Sequence, residues 1–256
     1  MSDNTPQVGY LDASSAAEWR AFFAAGETFA VPLDRDAVNR RMRANTTVMV
    51  VASAVIVVSL GAGTAIALGT WGRALTFVLL FVLAAVTLIV WVKFFWIRRR
   101  LRALTASGDE YLSVDANGIR LAGTVPVAWT DIVGGVGFDD RAVRVALLRR
   151  PAARISLAAG ESRSEVVLGF RETRALRTAA HPGLRHMFIV GSPPMSGGVR
   201  LPLDVALEPD AVLPTLAALW AAGEQAGVDI VLTRDYGLIG RLTTHVLLGK
   251  RPTELS

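Results

Sequence analysis

The sequence predicts an α+β protein: a two-helix transmembrane hairpin followed by a domain of short antiparallel strands closed by a C-terminal helix. Three observations carry this reading. Residues 44–72 contain no charged side chain, and after Arg73 residues 74–92 contain none. Each run is long enough to cross a hydrocarbon core of about 30 Å, because a helix rises about 1.5 Å per residue and needs roughly 20 apolar residues. Beyond the second run the pattern changes to a period of two with the turn dipeptide Asn117-Gly118, and near the C-terminus residues 210–222 return to helical spacing.

Composition narrows the function classes. The chain has 256 residues and no Cys, which excludes disulfides, thiolate metal sites and Cys nucleophiles. The net charge is +5, but its placement matters more than its sum. Residues 1–102 hold 11 Lys/Arg against 6 Asp/Glu, whereas residues 103–256 hold 16 of each. The excess flanks the apolar runs, so it is a topology signal rather than a nucleic-acid patch. No nucleic-acid partner is expected.

The first 18 residues carry acids and no bases, unlike a secretory signal, which opens on a basic region. Ser15 and Glu18 have the spacing of a capping box, and Trp19, Phe22 and Phe23 follow, so residues 15–25 predict a short amphipathic helix. Its aromatic face needs a partner: the globular domain, the first long helix or the bilayer interface. Arg40, Arg41 and Arg43 precede the first span, and Lys93, Arg98, Arg99, Arg100 and Arg102 follow or close the second. Only Arg73 lies between the spans. Basic residues are retained on the cytoplasmic side, so both termini are expected there, in a multi-pass protein of the inner membrane. Trp71 marks the outer interface, and Trp91 and Trp96 the inner one.

In the first span Ser59 and Gly63, and then Ala65 and Gly69, stand four apart, a spacing that lets helix backbones approach closely. Two uses remain open: packing against the second span, or contact with another copy or a protein partner. No ionisable residue stands at mid-membrane, which argues against a pump or transporter.

Residues 110–115 alternate, Asn117-Gly118 turns the chain, and residues 119–121 resume. Val127, Trp129 and Ile132 lead into a Gly-rich strand over 133–138. Residues 142–148, 154–157 and 165–168 read as further strands, 171–180 as a helix, and 186–190 and 199–203 as strands. Over 210–222, Val212, Leu213, Leu216, Leu219 and Trp220 share one helical face. The tail adds a strand over 228–232 and a helix carrying Leu238, Ile239, Leu242 and Val246, which either docks on the domain or lies on the membrane.

The stretches Tyr111-Leu-Ser-Val-Asp115, Asn117-Gly-Ile-Arg-Leu121, Val127-Ala-Trp129-Thr-Asp131-Ile132 and Arg200-Leu-Pro-Leu-Asp204 together resemble bacterial pleckstrin-homology-like (PH-like) domains of the YcxB-like kind. The likeness covers residues 110–222. It implies a strongly bent antiparallel sheet with one open end plugged by the helix, and it implies binding rather than catalysis. The long segment 171–198 and the tail depart from that pattern, so no family binding residue is carried over. The organisation expected is an N-terminal cytoplasmic segment (1–45), the hairpin (46–97), a basic linker (98–109), the PH-like domain (110–227) and a C-terminal extension (228–256).

No phosphate-binding Gly loop with its Lys and no Gly-x-Ser-x-Gly elbow is present. The three His, at 181, 186 and 245, lack an accompanying carboxylate motif. No catalytic residue, cofactor or metal is expected. One feature points to a ligand: residues 141–185 hold 10 bases and 3 acids. If Arg144, Arg149, Arg150 and Arg154 converge, they form a basic patch for an anionic surface. The expected function is a membrane-anchored binding module for anionic headgroups or a partner protein. The alternative is an accessory subunit of a larger membrane complex, acting through its hairpin.

Overall fold

The computed structural model describes residues 13–255 apart from 70–73, 107, 122–124, 141–148, 181, 183 and 193–194. Helix α1 (Ala13–Ala24) and strand β1 (Phe29–Pro32) precede two long helices, α2 (Arg35–Gly69) and α3 (Ala74–Ala106). Strands β2 (Glu110–Val114), β3 (Gly118–Leu121), β4 (Val127–Ala128) and β5 (Ile132–Asp139) follow, then α4 (Pro151–Ala158), β6 (Ser164–Phe170) and α5 (Thr173–Ala179). The chain ends with β7 (Phe188–Ile189), β8 (Gly198–Pro202), α6 (Leu203–Ala206), α7 (Val212–Gln225), β9 (Ile230–Thr233) and α8 (Tyr236–Leu247). The result is an α+β chain: two long apolar helices, two sheets and C-terminal helices.

Both long helices are long and apolar enough to cross a membrane. At 35 and 33 residues they measure ~50 Å each, more than a hydrocarbon core requires. The surplus lies at the ends beside the domain. Along the outer part Val57, Leu79 and Ile89 are 69%, 60% and 70% exposed, while Leu101 and Leu104 on the same α3 are 1% and 0% exposed. The segment 98–106, expected as a basic linker, is therefore the last turns of α3, and its apolar side enters the domain core.

The N-terminal segment also belongs to the domain. Strand β1 pairs antiparallel with β2, Phe29 opposite Val114, so the first sheet (β1-β2-β3-β4) closes over a chain that has travelled out along α2 and back along α3. Helix α1 packs on α7 through Arg20, which reaches Glu224 at 2.7 Å, and Phe23 is buried in the core. The aromatic face of α1 thus meets the domain. Asp34 begins α2 as its N-cap, its Oδ1 accepting the Ala37 N–H at 2.8 Å.

The hairpin forms one residue earlier than expected: the Asp115 N–H donates to Gly118 O at 3.0 Å, so Ala116 and Asn117 make the turn and Gly118 already pairs in β3. Asp115 Oδ1 accepts the N–H groups of Asn117 and Gly118, and Trp129 Nε1 donates to the Asp115 carbonyl at 2.9 Å. The second sheet has the order β7-β8-β6-β5-β9, antiparallel except that β9 runs parallel to β5. Among the described residues every strand pair within 110–227 is antiparallel, as expected there, but the strands fall in two sheets rather than one. The tail supplies the extra strand, and α8 covers β5 and β6 through Leu242 and Val246, which share an apolar cluster with Val136. A glycine of β6 permits this closeness: a Cβ on Gly169 would stand 2.6 Å from Val246 O of α8.

Two further expectations change. Residues 154–157 form part of helix α4, because Pro151 occupies its first turn with φ already suited to a helix. Only Phe188–Ile189 of the strand expected over 186–190 is extended, after a 3₁₀ turn at Arg185–Met187. The strand expected over 142–148 lies outside the described residues.

Candidate membrane-facing basic surface

Three contacts set the level at which the domain meets the long helices. Asn45 is fully buried, and its Nδ2 donates to Phe94 O at 3.1 Å and to Ala159 O at 3.2 Å. One amide thereby ties α2, α3 and the residue after α4. Lys93 Nζ meets Glu161 Oε2 at 3.1 Å. Arg41 donates to the carbonyls of Asp204 (2.8 Å) and Val205 (3.3 Å) in α6. The Asp204 carboxylate in turn accepts Ser162 Oγ at 2.6 Å and the Arg163 N–H at 3.1 Å. Helix α4 is therefore held against the domain-side end of the hairpin, level with Asn45 and Lys93.

The side chains of α4 divide accordingly. Leu157 points inward and is buried, while Arg154 is exposed and Ile155 is 53% exposed. Arg149 and Arg150 are exposed in the turn that leads into the helix. Arg154 lines an open groove of about 490 Å³ with Arg40 and Arg41 of α2, over an apolar floor of Ala37, Ala44, Leu157 and Leu207. Among the described residues Asp34 is the one acid on its wall. The structure thus brings Arg154 to Arg40 and Arg41, with Arg149 and Arg150 in the adjoining turn. Arg144 lies outside the described residues. Arg40 and Arg41 carry a topology signal in the sequence, and their meeting with α4 is invisible there because more than 100 residues intervene. The one local hint is that Ala37, Arg40, Arg41 and Ala44 follow the three- and four-residue spacing of a single helix face.

The small-residue positions separate into two groups. Ser59 is 4% exposed, and a Cβ on Gly63 would meet Leu80 and Phe77 of α3 at 3.8 Å, so both lie inside the hairpin. Trp91 Nε1 adds a bond to Ser53 Oγ at 3.1 Å. Ala65 faces outward. The surroundings of Gly69 lie outside what is described.

A second charged group sits in the domain. Glu165 on β6 approaches Arg200 Nε on β8 at 3.6 Å. Burial holds its carboxyl above the ordinary range, against the pull of Arg200 and Arg100. Burial likewise pushes the Tyr111 phenol far up, and its hydroxyl donates to Pro202 O at 3.2 Å. These groups brace β2, β6 and β8. The cavity between Leu104, Tyr111, Phe188 and Leu201 has about 10 Å³, room for one water. Among the described residues no group of three His, Asp or Glu side chains could hold a metal.

Comparison with protein-family models, with curated proteins and with solved structures found no match for this chain.

Proposed function

We propose that the chain is a membrane-anchored binding module of PH-like type, with α2 and α3 spanning the bilayer, both termini on the cytoplasmic side, and α4 reading anionic headgroups. One observation carries the reading: α4 exposes Arg154 beside Ile155, with Arg149 and Arg150 ahead of it, at the level where Asn45 and Lys93 end the apolar surface of the hairpin. An amphipathic helix with bases and an exposed aliphatic side chain suits the headgroup boundary. Each base near an anionic leaflet contributes about 1 kcal/mol. The PH-like assignment rests on the β2–β3–β4 meander, the pair β5–β6 and the closing helix α7. Binding rather than turnover fits a domain in which the buried Glu165 and Tyr111 brace strands while Arg149, Arg150 and Arg154 stand exposed.

The absence of Cys makes the test clean, since a single labelled Ile155→Cys carries the only thiol. The full chain is reconstituted in nanodiscs of phosphatidylcholine with or without phosphatidylglycerol. A fluorophore at 155 should be quenched by nitroxide lipids more strongly with phosphatidylglycerol, and the gain should vanish in R149E/R150E/R154E. Equal quenching in both lipids would refute headgroup reading by α4.

The alternative, an accessory subunit acting through its hairpin, draws on Ala65, which faces away from α3. Ala65→Leu should then break a co-purifying complex. A complex that survives this change argues against that reading.

A further inference from the structure

The last turns of α3 carry a second basic groove, separate from the α4 surface. Phe95, Arg98, Arg99 and Arg102 line it with Ala103 and Pro182, and it encloses about 520 Å³. The spacing of 95, 98, 99 and 102 places these four on one helix face. Among the described residues none that lines it is acidic, in contrast to the Asp34-bearing groove beside α4. Arg100 breaks the run by turning toward Arg200 and Glu165 in the domain. A topology signal needs only charge on the correct side. It does not require three guanidinium groups around one hollow.

Two details point to the chemistry of an occupant. The Nε of Arg98 is shielded from solvent and has no hydrogen-bond acceptor among the described residues. A buried donor without an acceptor is costly, and a phosphate oxygen would supply one. Arg99 stacks over the Trp96 ring at 5.5 Å, and Phe95 stacks on Trp91 at 5.5 Å. Phe95 and Trp96 stay 42% and 49% exposed, so an apolar wall continues from the groove toward the hairpin. Counting from Lys93, where the apolar run ends, Arg98 lies ~8 Å and Arg102 ~14 Å further along the helix. The polar layer on each side of a bilayer is ~5–8 Å deep, so Arg98 stands at its outer edge and Arg99 and Arg102 just beyond it, with side chains that lean toward the helix N-terminus and hence back toward the phosphates. Guanidinium forks match phosphate oxygens in pairs.

We propose that this groove binds one anionic phospholipid, its phosphate between Arg98, Arg99 and Arg102 and an acyl chain along Phe95 and Trp96. The inference rests on the spanning arrangement of α2 and α3 but not on headgroup reading by α4.

The test uses the full chain purified in mild detergent and examined by native mass spectrometry after equilibration with phosphatidylglycerol, phosphatidylcholine or inorganic phosphate. Wild type should retain one phosphatidylglycerol per chain and little phosphatidylcholine. R98Q/R99Q/R102Q should lower that occupancy about tenfold, as expected for losing charge-assisted bonds to one phosphate. R98K/R99K/R102K keeps the charge and should keep part of the binding, which guards against a folding artefact in the neutral variant. R149Q/R150Q/R154Q should bind phosphatidylglycerol at this groove like wild type, so failure of the α4 reading stays distinguishable from failure here. Equal retention of phosphatidylcholine, unchanged binding in R98Q/R99Q/R102Q, or inorganic phosphate displacing the lipid at equal concentration would each overturn the proposal.

Discussion

Asn45 decides how the domain sits on the hairpin. Its amide satisfies carbonyls on α3 and after α4 from a fully buried position, so Asn45→Ala leaves both acceptors without that donor. Such a loss costs about 1–3 kcal/mol. Asn45→Ala should therefore lower the apparent Tm by several degrees in a tryptophan-fluorescence melt, and an unchanged Tm would show that the amide carries no weight. Glu165 behaves differently. Its carboxyl is held up by burial, so the folded state binds its proton more tightly than the unfolded chain does. Stability from this group is complete below the unfolded carboxylate range and falls as pH rises through the folded value. Glu165→Gln should thus differ little from wild type near pH 4 and gain on it toward pH 8. A gap in Tm that stays constant with pH would contradict this.

At the scale of elements, Gly63 and Ala65 have opposite surroundings despite their proximity. Gly63→Leu would press into Leu80 and Phe77 and should break the hairpin itself, seen as lost expression in the membrane fraction. Ala65→Leu should leave the fold intact. The two long helices were legible in the sequence because nothing charged interrupts them, and α7 because its apolar residues keep a helical period. Helix α4 was not: over Arg154, Ile155, Ser156 and Leu157 polar and apolar residues alternate as they do in a strand, and Pro151 suits a first helical turn as well as a strand's end. Strand β1 was missed for another reason. Four residues ending in Pro carry little β signal, and its partner β2 lies some 80 positions away. Within the basic surface, Arg149, Arg150 and Arg154 stood out as a local cluster, whereas Arg40 and Arg41 join it only through α2.

For the whole molecule, domain and hairpin are one construction rather than a module on a tether. Phe94, Ile97, Leu101 and Leu104 of α3 share a continuous core with Phe23, Leu112, Phe170 and Leu219. A fragment beginning at Thr105 lacks β1, α1 and the buried turn of α3. It should fail to give a cooperative melt, while the full chain in detergent gives one. A cooperative, dispersed fragment would show that the domain closes without the hairpin. Attachment through a shared core also fixes the orientation of α4 and of the Arg98 groove relative to the hairpin, without any search by a flexible linker.

In the proposed arrangement the outer parts of α2 and α3 lie in lipid and α4 lies at the headgroups. Spin labels at Val57→Cys, Val86→Cys, Ile155→Cys and Arg120→Cys of the reconstituted full chain test it most directly, by collision with oxygen against a water-soluble nickel complex. Oxygen should dominate at 57 and 86, nickel at 120, and position 155 should fall between them. Nickel access at 57 and 86 equal to that at 120 would contradict the account.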